Sequence, residues 1–63
     1  MNRFNENVEM MLVRRGNSKK QLIDHLGISK SAFYSKIAGV NPWYLDEAVK
    51  VAEFFGVGVD DLL

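Results

Sequence analysis

The sequence predicts an all-α fold of four to five short helices, and three observations carry that expectation. Apolar residues recur at spacings of three and four in separate segments, which is the period of a helix face. Serines stand just ahead of two of those segments, where a side-chain oxygen can cap exposed amides. Glycines at 16, 27, 39 and 56 each follow the last residue of a periodic run, where helices commonly terminate.

The first helix spans about 4–15, with Phe4, Val8, Met11 and Leu12 on one stripe, acids in its early turns, and Arg14 and Arg15 at its end ahead of Gly16. The second spans about 18–26: Ser18 and Gln21 form a capping-box pattern ahead of Leu22, Ile23 and Leu26, and Gly27 stops it. Only Ile28 separates that glycine from Ser29, which opens a third helix over about 29–38, ended by Gly39. A turn this short cannot lay two helices antiparallel and forces the ~90–120° crossing of a helix-turn-helix. Asn41-Pro42 breaks the chain. Leu45, Ala48, Val49, Ala52 and Phe55 then form the apolar stripe of a helix over 45–55, with Val51 and Phe54 off that stripe and free to meet a continuation of the chain or a second subunit. Acids at 60 and 61 open a fifth helix over 59–63, and the expectation is that the chain is the N-terminal part of a longer protein.

Sixty-three residues make one domain, here 1–63, with a small core that must be efficiently packed. Hydrophobic residues are 48% of the chain and charged residues 25%, a globular balance. There is no cysteine to supply a disulfide or a thiolate metal site, and His25 stands alone, so neither metal nor cofactor is expected. His25 beside Asp24 cannot form a nucleophilic triad with any serine here, and no phosphate-cradling glycine loop is present, so an enzyme is not expected. No apolar run has the length of a signal-peptide core or a membrane span, which predicts a cytoplasmic protein without membrane contact.

Net charge is zero, but its distribution is uneven. Between Ser18 and Trp43 stand Lys19, Lys20, Lys30 and Lys36 against Asp24, while Asp46, Glu47, Glu53, Asp60 and Asp61 gather in the last third. That pattern fits one face turned to an anion and another turned away, and equally fits ordinary solvated faces. Leu22, Leu26, Ile28, Phe33 and Ile37 are expected to point inward, which leaves Lys30, Ser31, Tyr34 and Ser35 outward, with Lys36 at the far end. All of these outward residues can donate a hydrogen bond and none is an acid, so the face suits a groove walled by phosphates.

The run Ser18-Lys19-Lys20-Gln21-Leu22 through Leu26-Gly27-Ile28-Ser29-Lys30-Ser31-Ala32-Phe33-Tyr34-Ser35-Lys36-Ile37-Ala38-Gly39 resembles the helix-turn-helix of phage lambda-type repressors and Cro-like regulators, prophage repressors especially. The segment Glu47 to Val57, followed by Val59-Asp60-Asp61-Leu62-Leu63, is similar to that family's fourth and fifth helices. The resemblance implies a lambda-repressor-like domain that binds double-stranded DNA sequence-specifically as a transcriptional repressor. It places the third helix in the major groove, with Lys30, Ser31, Tyr34, Ser35 and Lys19 as base contacts. Ser18, Lys19, Ser29, Lys36 and Asn41 become phosphate contacts by the same token. The partner is then an operator, pseudo-palindromic and bound by a homodimer whose dimerising element can lie outside this chain.

Ile23 stands where that family commonly has alanine at the closest approach of the two helices, and Tyr44 and Gly58 where it often has a serine or threonine cap. The recognition helix lacks Gln, Asn and Arg, so discrimination would draw on DNA shape and dimer geometry as well as direct readout. Trp43 and Tyr44 are read as sealing the edge of the core, with an interface role as the alternative. Two other functions share such a fold: the DNA-binding part of an antitoxin, and a protein-interaction module that has lost DNA binding.

Overall fold

The chain's helices begin and end where local hydrogen bonds can absorb the amides and carbonyls that a helix leaves unpaired. In the computed structural model, which describes residues 2–63, they are α1 (Asn2–Arg15), α2 (Lys19–Leu26), α3 (Lys30–Ile37) and α4 (Leu45–Phe55), followed by a 3₁₀ turn (Val59–Leu62). No strand occurs among the described residues, and no helix of the structure is long and apolar enough to cross a membrane. The fifth helix expected over 59–63 is this single 3₁₀ turn, closed by bonds from the Asp61 amide to the Gly58 carbonyl and from Leu63 to Asp60.

α1, α3 and α4 end alike. After α1, the Gly16 amide reaches the Val13 carbonyl at 3.2 Å and the Asn17 amide reaches Leu12 at 2.9 Å. Gly39 and Val40 repeat the paired bonds onto Lys36 and Ser35, as do Gly56 and Val57 onto Glu53 and Ala52. α2 ends differently, with one bond from the Gly27 amide to the Ile23 carbonyl at 3.0 Å. Gly27 sits at φ +70° and ψ +25°, and Ser29 two residues later is already the N-cap of α3. The direction change between α2 and α3 is therefore concentrated in one left-handed residue.

The core is a single layer between helices, in a body whose smallest extent is 18 Å, about two helix diameters. Phe4, Val8 and Leu12 of α1 meet Leu22 and Leu26 of α2, Phe33 of α3, Trp43, and Ala48, Val51, Ala52 and Phe55 of α4, with Leu62 of the 3₁₀ turn. Trp43 seals this core: its ring lies 5.3 Å from Phe4 and 6.0 Å from Phe33, both in the tilted or edge-on range that aromatic pairs favour. Ile23, Ile28 and Ile37 pack around the edge, half-buried. Ile23 is thus accommodated at the margin of the core and not wedged at its centre.

α4 is rotated relative to its expected stripe. Val51, read as off the stripe, is fully buried, whereas Leu45 is 75% exposed and Val49 39%. The buried set of Ala48, Val51, Ala52 and Phe55 follows the i, i+3, i+4, i+7 pattern as well as the expected set does. Apolar residues on both flanks of the helix made the pattern ambiguous, and packing chose the flank. Phe54, also off the expected stripe, is half-buried, with its ring 5.3 Å from His25 of α2 and 5.1 Å from Phe55. Two side chains from α1 then tie distant ends together: Arg15 donates to the Phe55 carbonyl at 2.7 Å, and Asn7 to the Leu62 carbonyl at 2.9 Å.

A Cβ added at Gly27 would meet nothing within 4 Å, so the cost of Gly27→Ala is a backbone cost alone. Holding a non-glycine residue in the left-handed region costs about 1–2 kcal/mol. The expected outcome in thermal denaturation is a melting temperature lower by roughly 5–15 °C, with Gly27→Asn losing less. An alanine variant that melts with the wild type would show that the turn has relaxed into another path.

Candidate nucleic-acid interface

The surface formed by the N-terminal turn of α2 and the outer side of α3 is built on two serine caps. Ser18 Oγ accepts from the Gln21 amide at 3.2 Å, and Gln21 Oε1 accepts from the Ser18 amide at 2.8 Å. Ser29 Oγ accepts from the Ala32 amide at 3.1 Å. Both hydroxyls are thereby occupied as acceptors, and each serine is exposed and retains a proton to donate. The amides of Lys19 and Lys20 lie in the first turn of α2, ahead of its intrahelical bonds.

Tyr34 lies at the centre of this surface. Its ring stands edge-on to the buried Phe33 at 5.7 Å, which fixes its base in the core, while the residue remains 41% exposed. Two ammonium groups from different helices lie over it: Lys19 Nζ of α2 at 5.6 Å from the ring centroid and Lys30 Nζ of α3 at 5.9 Å. Such distances are within cation–π reach. Ser31 is exposed beside them, Ser35 is half-buried, and Asn41 is exposed in the loop after α3, where its amide donates to the Ser35 carbonyl at 3.2 Å. The structure therefore gathers Lys19, Lys30, Ser31 and Tyr34 on one surface, with Ser18 and Ser29 at its two helix starts.

One acid reaches that surface from outside the motif. Glu9 of α1 places Oε1 3.6 Å from Lys19 Nζ, so the acid-free character of α3's outward face does not extend to its rim. Nothing in the local sequence pattern pointed to Glu9, since the contact joins two helices whose crossing is set by the core.

Lys36 does not belong to the exposed set, which corrects its expected place as an outward phosphate anchor. The residue is 6% exposed, and its ammonium is spent inside the protein. Nζ lies 2.9 Å from Glu47 Oε1 and donates to the Pro42 carbonyl at 3.0 Å, with the Tyr44 ring centroid 4.8 Å away and that of Trp43 5.8 Å away. The Lys36 carbonyl accepts from Asn5 Nδ2 at 3.0 Å, and Asn5 Oδ1 accepts from the Trp43 indole N–H. Glu47 Oε1 also accepts from the Tyr44 amide at 3.0 Å, which caps the start of α4 from the side where Tyr44 offers no capping oxygen. The physical reason is position: residue 36 follows Phe33 by three, so it shares a flank with the most buried residue of α3. That spacing was the available signal, together with Glu47 at the third position of the next helix.

Glu47 feels opposing forces. Burial pushes its carboxyl up; the Tyr44 amide, the Lys36 ammonium and the charges of Lys36 and Lys50 more than offset this, and its folded value lies below the ordinary 4.5. No buried side-chain nitrogen or oxygen lacks a partner among the described residues, so the network is closed. Among those residues there is also no group of three His, Cys, Asp or Glu side chains placed to hold a metal ion.

A family model described as the BetR domain matches residues 2–63. The chain belongs to that family, a family of helix-turn-helix-type DNA-binding domains, which suggests DNA as its partner. No curated protein and no solved structure matches the chain.

The Lys36–Glu47 pair yields a pH dependence of defined sign. A carboxylate with a depressed folded value contributes stability that is complete above its unfolded value and is lost as pH falls through the folded one. Denaturant unfolding of the wild type is therefore expected to weaken below pH 4.5, with Glu47→Gln showing a shallower acid slope. Lys36→Ala strands the carboxylate and is expected to cost about 3–5 kcal/mol, enough to leave much of so small a domain unfolded. A Lys36→Ala protein with wild-type stability would refute the buried role.

Proposed function

We propose that this BetR-domain chain binds double-stranded DNA sequence-specifically, with α3 in the major groove, and acts as a transcriptional repressor of the phage or prophage kind by occupying an operator. The observation that carries the reading is the surface cluster of half-buried Lys19 with exposed Lys30, Ser31 and Tyr34, displayed by two short helices whose crossing is set at Gly27. The likeness of residues 18–39 to the helix-turn-helix of lambda-type repressors and Cro-like regulators supports the finer assignment.

In this reading Lys30 and Ser31, near the start of α3, meet base edges, and Tyr34 meets a base or a thymine methyl. Lysine is a donor to guanine O6 and N7, while serine pairs with several bases. Ser35, half-buried, is a secondary contact at most. Ser18, Ser29 and Asn41 take phosphate oxygens, and Lys36 takes none, because its donors are committed to Glu47 and Pro42. A lone domain of this size presents few base-reading groups, so two copies occupy a pseudo-palindromic site with half-sites about one helical turn (~34 Å) apart. The domain works by binding alone, without catalysis or cofactor, in the cytoplasm where an operator is accessible.

Titration against random and selected duplexes across salt concentrations tests the reading. Affinity is expected to fall linearly in log–log form as salt rises, with a slope of about −0.9 for each phosphate neutralised. Lys30→Ala is expected to change base preference at one or two positions of a selected site, at a cost of about 1–3 kcal/mol. Binding indifferent to salt, or no binding, would favour a protein-interaction module. A Lys30→Ala loss shared equally by all sequences would reassign Lys30 to the backbone.

A further inference from the structure

Lys19 is held on two sides in the free protein, by the Glu9 carboxylate at 3.6 Å and by the Tyr34 ring at 5.6 Å. The two holders come from different helices. Tyr34 belongs to the outer side of α3, whereas Glu9 belongs to α1, which otherwise contributes apolar side chains to the core and polar ties to chain ends. Glu9 is exposed, and no part of the core packing requires its charge. Its carboxylate offers Lys19 what a DNA phosphate offers, an anion with acceptor oxygens within reach of the ammonium.

Building on the DNA-binding reading above, we propose that Glu9 sets the domain's affinity for duplex DNA by holding Lys19 where a backbone phosphate would hold it, and that Lys19 is consequently a phosphate anchor and not a base reader. Lys19 makes its DNA contact by exchanging one anion for another. Each binding event must first break the Glu9 pair, and that cost is the same for every sequence, because phosphates carry no sequence information. Glu9 therefore lowers affinity for all duplexes alike. The effect is modest, since an exposed ion pair is worth little, and it fades as salt screens the pair.

The test is a set of duplex titrations with the full chain at low salt, using one random-sequence duplex and one duplex selected for tight binding. Glu9→Gln is expected to raise affinity for both by the same factor, about two- to fivefold. In a Lys19→Met background the same substitution is expected to gain almost nothing. Glu6→Gln, which removes an exposed acid from the same helix, serves as the control for net charge and should gain less. The proposal is overturned if Glu6→Gln matches Glu9→Gln, or if the Glu9→Gln gain survives intact in Lys19→Met. A gain confined to the selected duplex overturns the phosphate assignment of Lys19. Wild-type protein that binds neither duplex would bring down the DNA-binding reading itself, an outcome distinct from all of these. Thermal melts of the variants within a few degrees of wild type establish that affinity, and not folding, has changed.

Discussion

A buried ammonium needs acceptors close at hand, and the position of Lys36 inside the domain ties α3 through that ammonium to the loop before α4 and to the start of α4, and through its backbone carbonyl to α1. Its partners are Glu47 at the head of α4 and the Pro42 carbonyl in the preceding loop, while its own carbonyl is held by Asn5 of α1, which in turn takes the Trp43 indole. Because Lys36 and Glu47 face each other with little access to water, removing either one strands the charge of the other. A buried ion pair is not by itself a large source of stability, since desolvation consumes most of the attraction. Its consequence is geometric: the end of α3, the loop from 38 to 44 and the start of α4 have one satisfactory arrangement.

The other end of α3 is constrained by different means. Ser29 caps it, and Gly27 sets its direction from α2 through a single left-handed residue. α3 is thus fixed at its start by local backbone chemistry and at its end by a long-range polar network. Only its outer side, with Lys30, Ser31 and Tyr34, remains uncommitted to either task. The division explains why two lysines of one eight-residue helix have unrelated roles: Lys30 sits over an exposed ring, and Lys36 six residues on is an interior cation.

What could be read from the sequence was mostly local. The Ser18–Gln21 box, the Ser29 cap and the glycine ends involve residues within five positions of one another, so their hydrogen bonds are implied by spacing alone. The all-helical class and the acid-free outward side of α3 followed from the same short-range patterns. Three features depended on packing and were not legible. The face of α4 was ambiguous because Leu45 and Val49 are as apolar as Val51, and only contact with α2 and the 3₁₀ turn distinguishes them. Lys36 reads as a surface lysine until Trp43 and Asn5, 38 positions apart, close over its flank. Glu9 reads as a helix-solubilising acid until the crossing of α1 and α2 brings it to Lys19.

The separation of tasks along α3 also bears on how such a domain can diversify. Lys30 and Ser31 are exposed and contribute no side chain to the core or to the polar network, so exchanging them leaves the scaffold's interior bonds untouched. Surface substitutions of that kind typically change stability by no more than about 0.5 kcal/mol. A lineage can therefore drift through many outward vocabularies on this helix without ever passing through an unfolded ancestor, whereas Phe33, Lys36 and Gly27 form the grammar it has to keep.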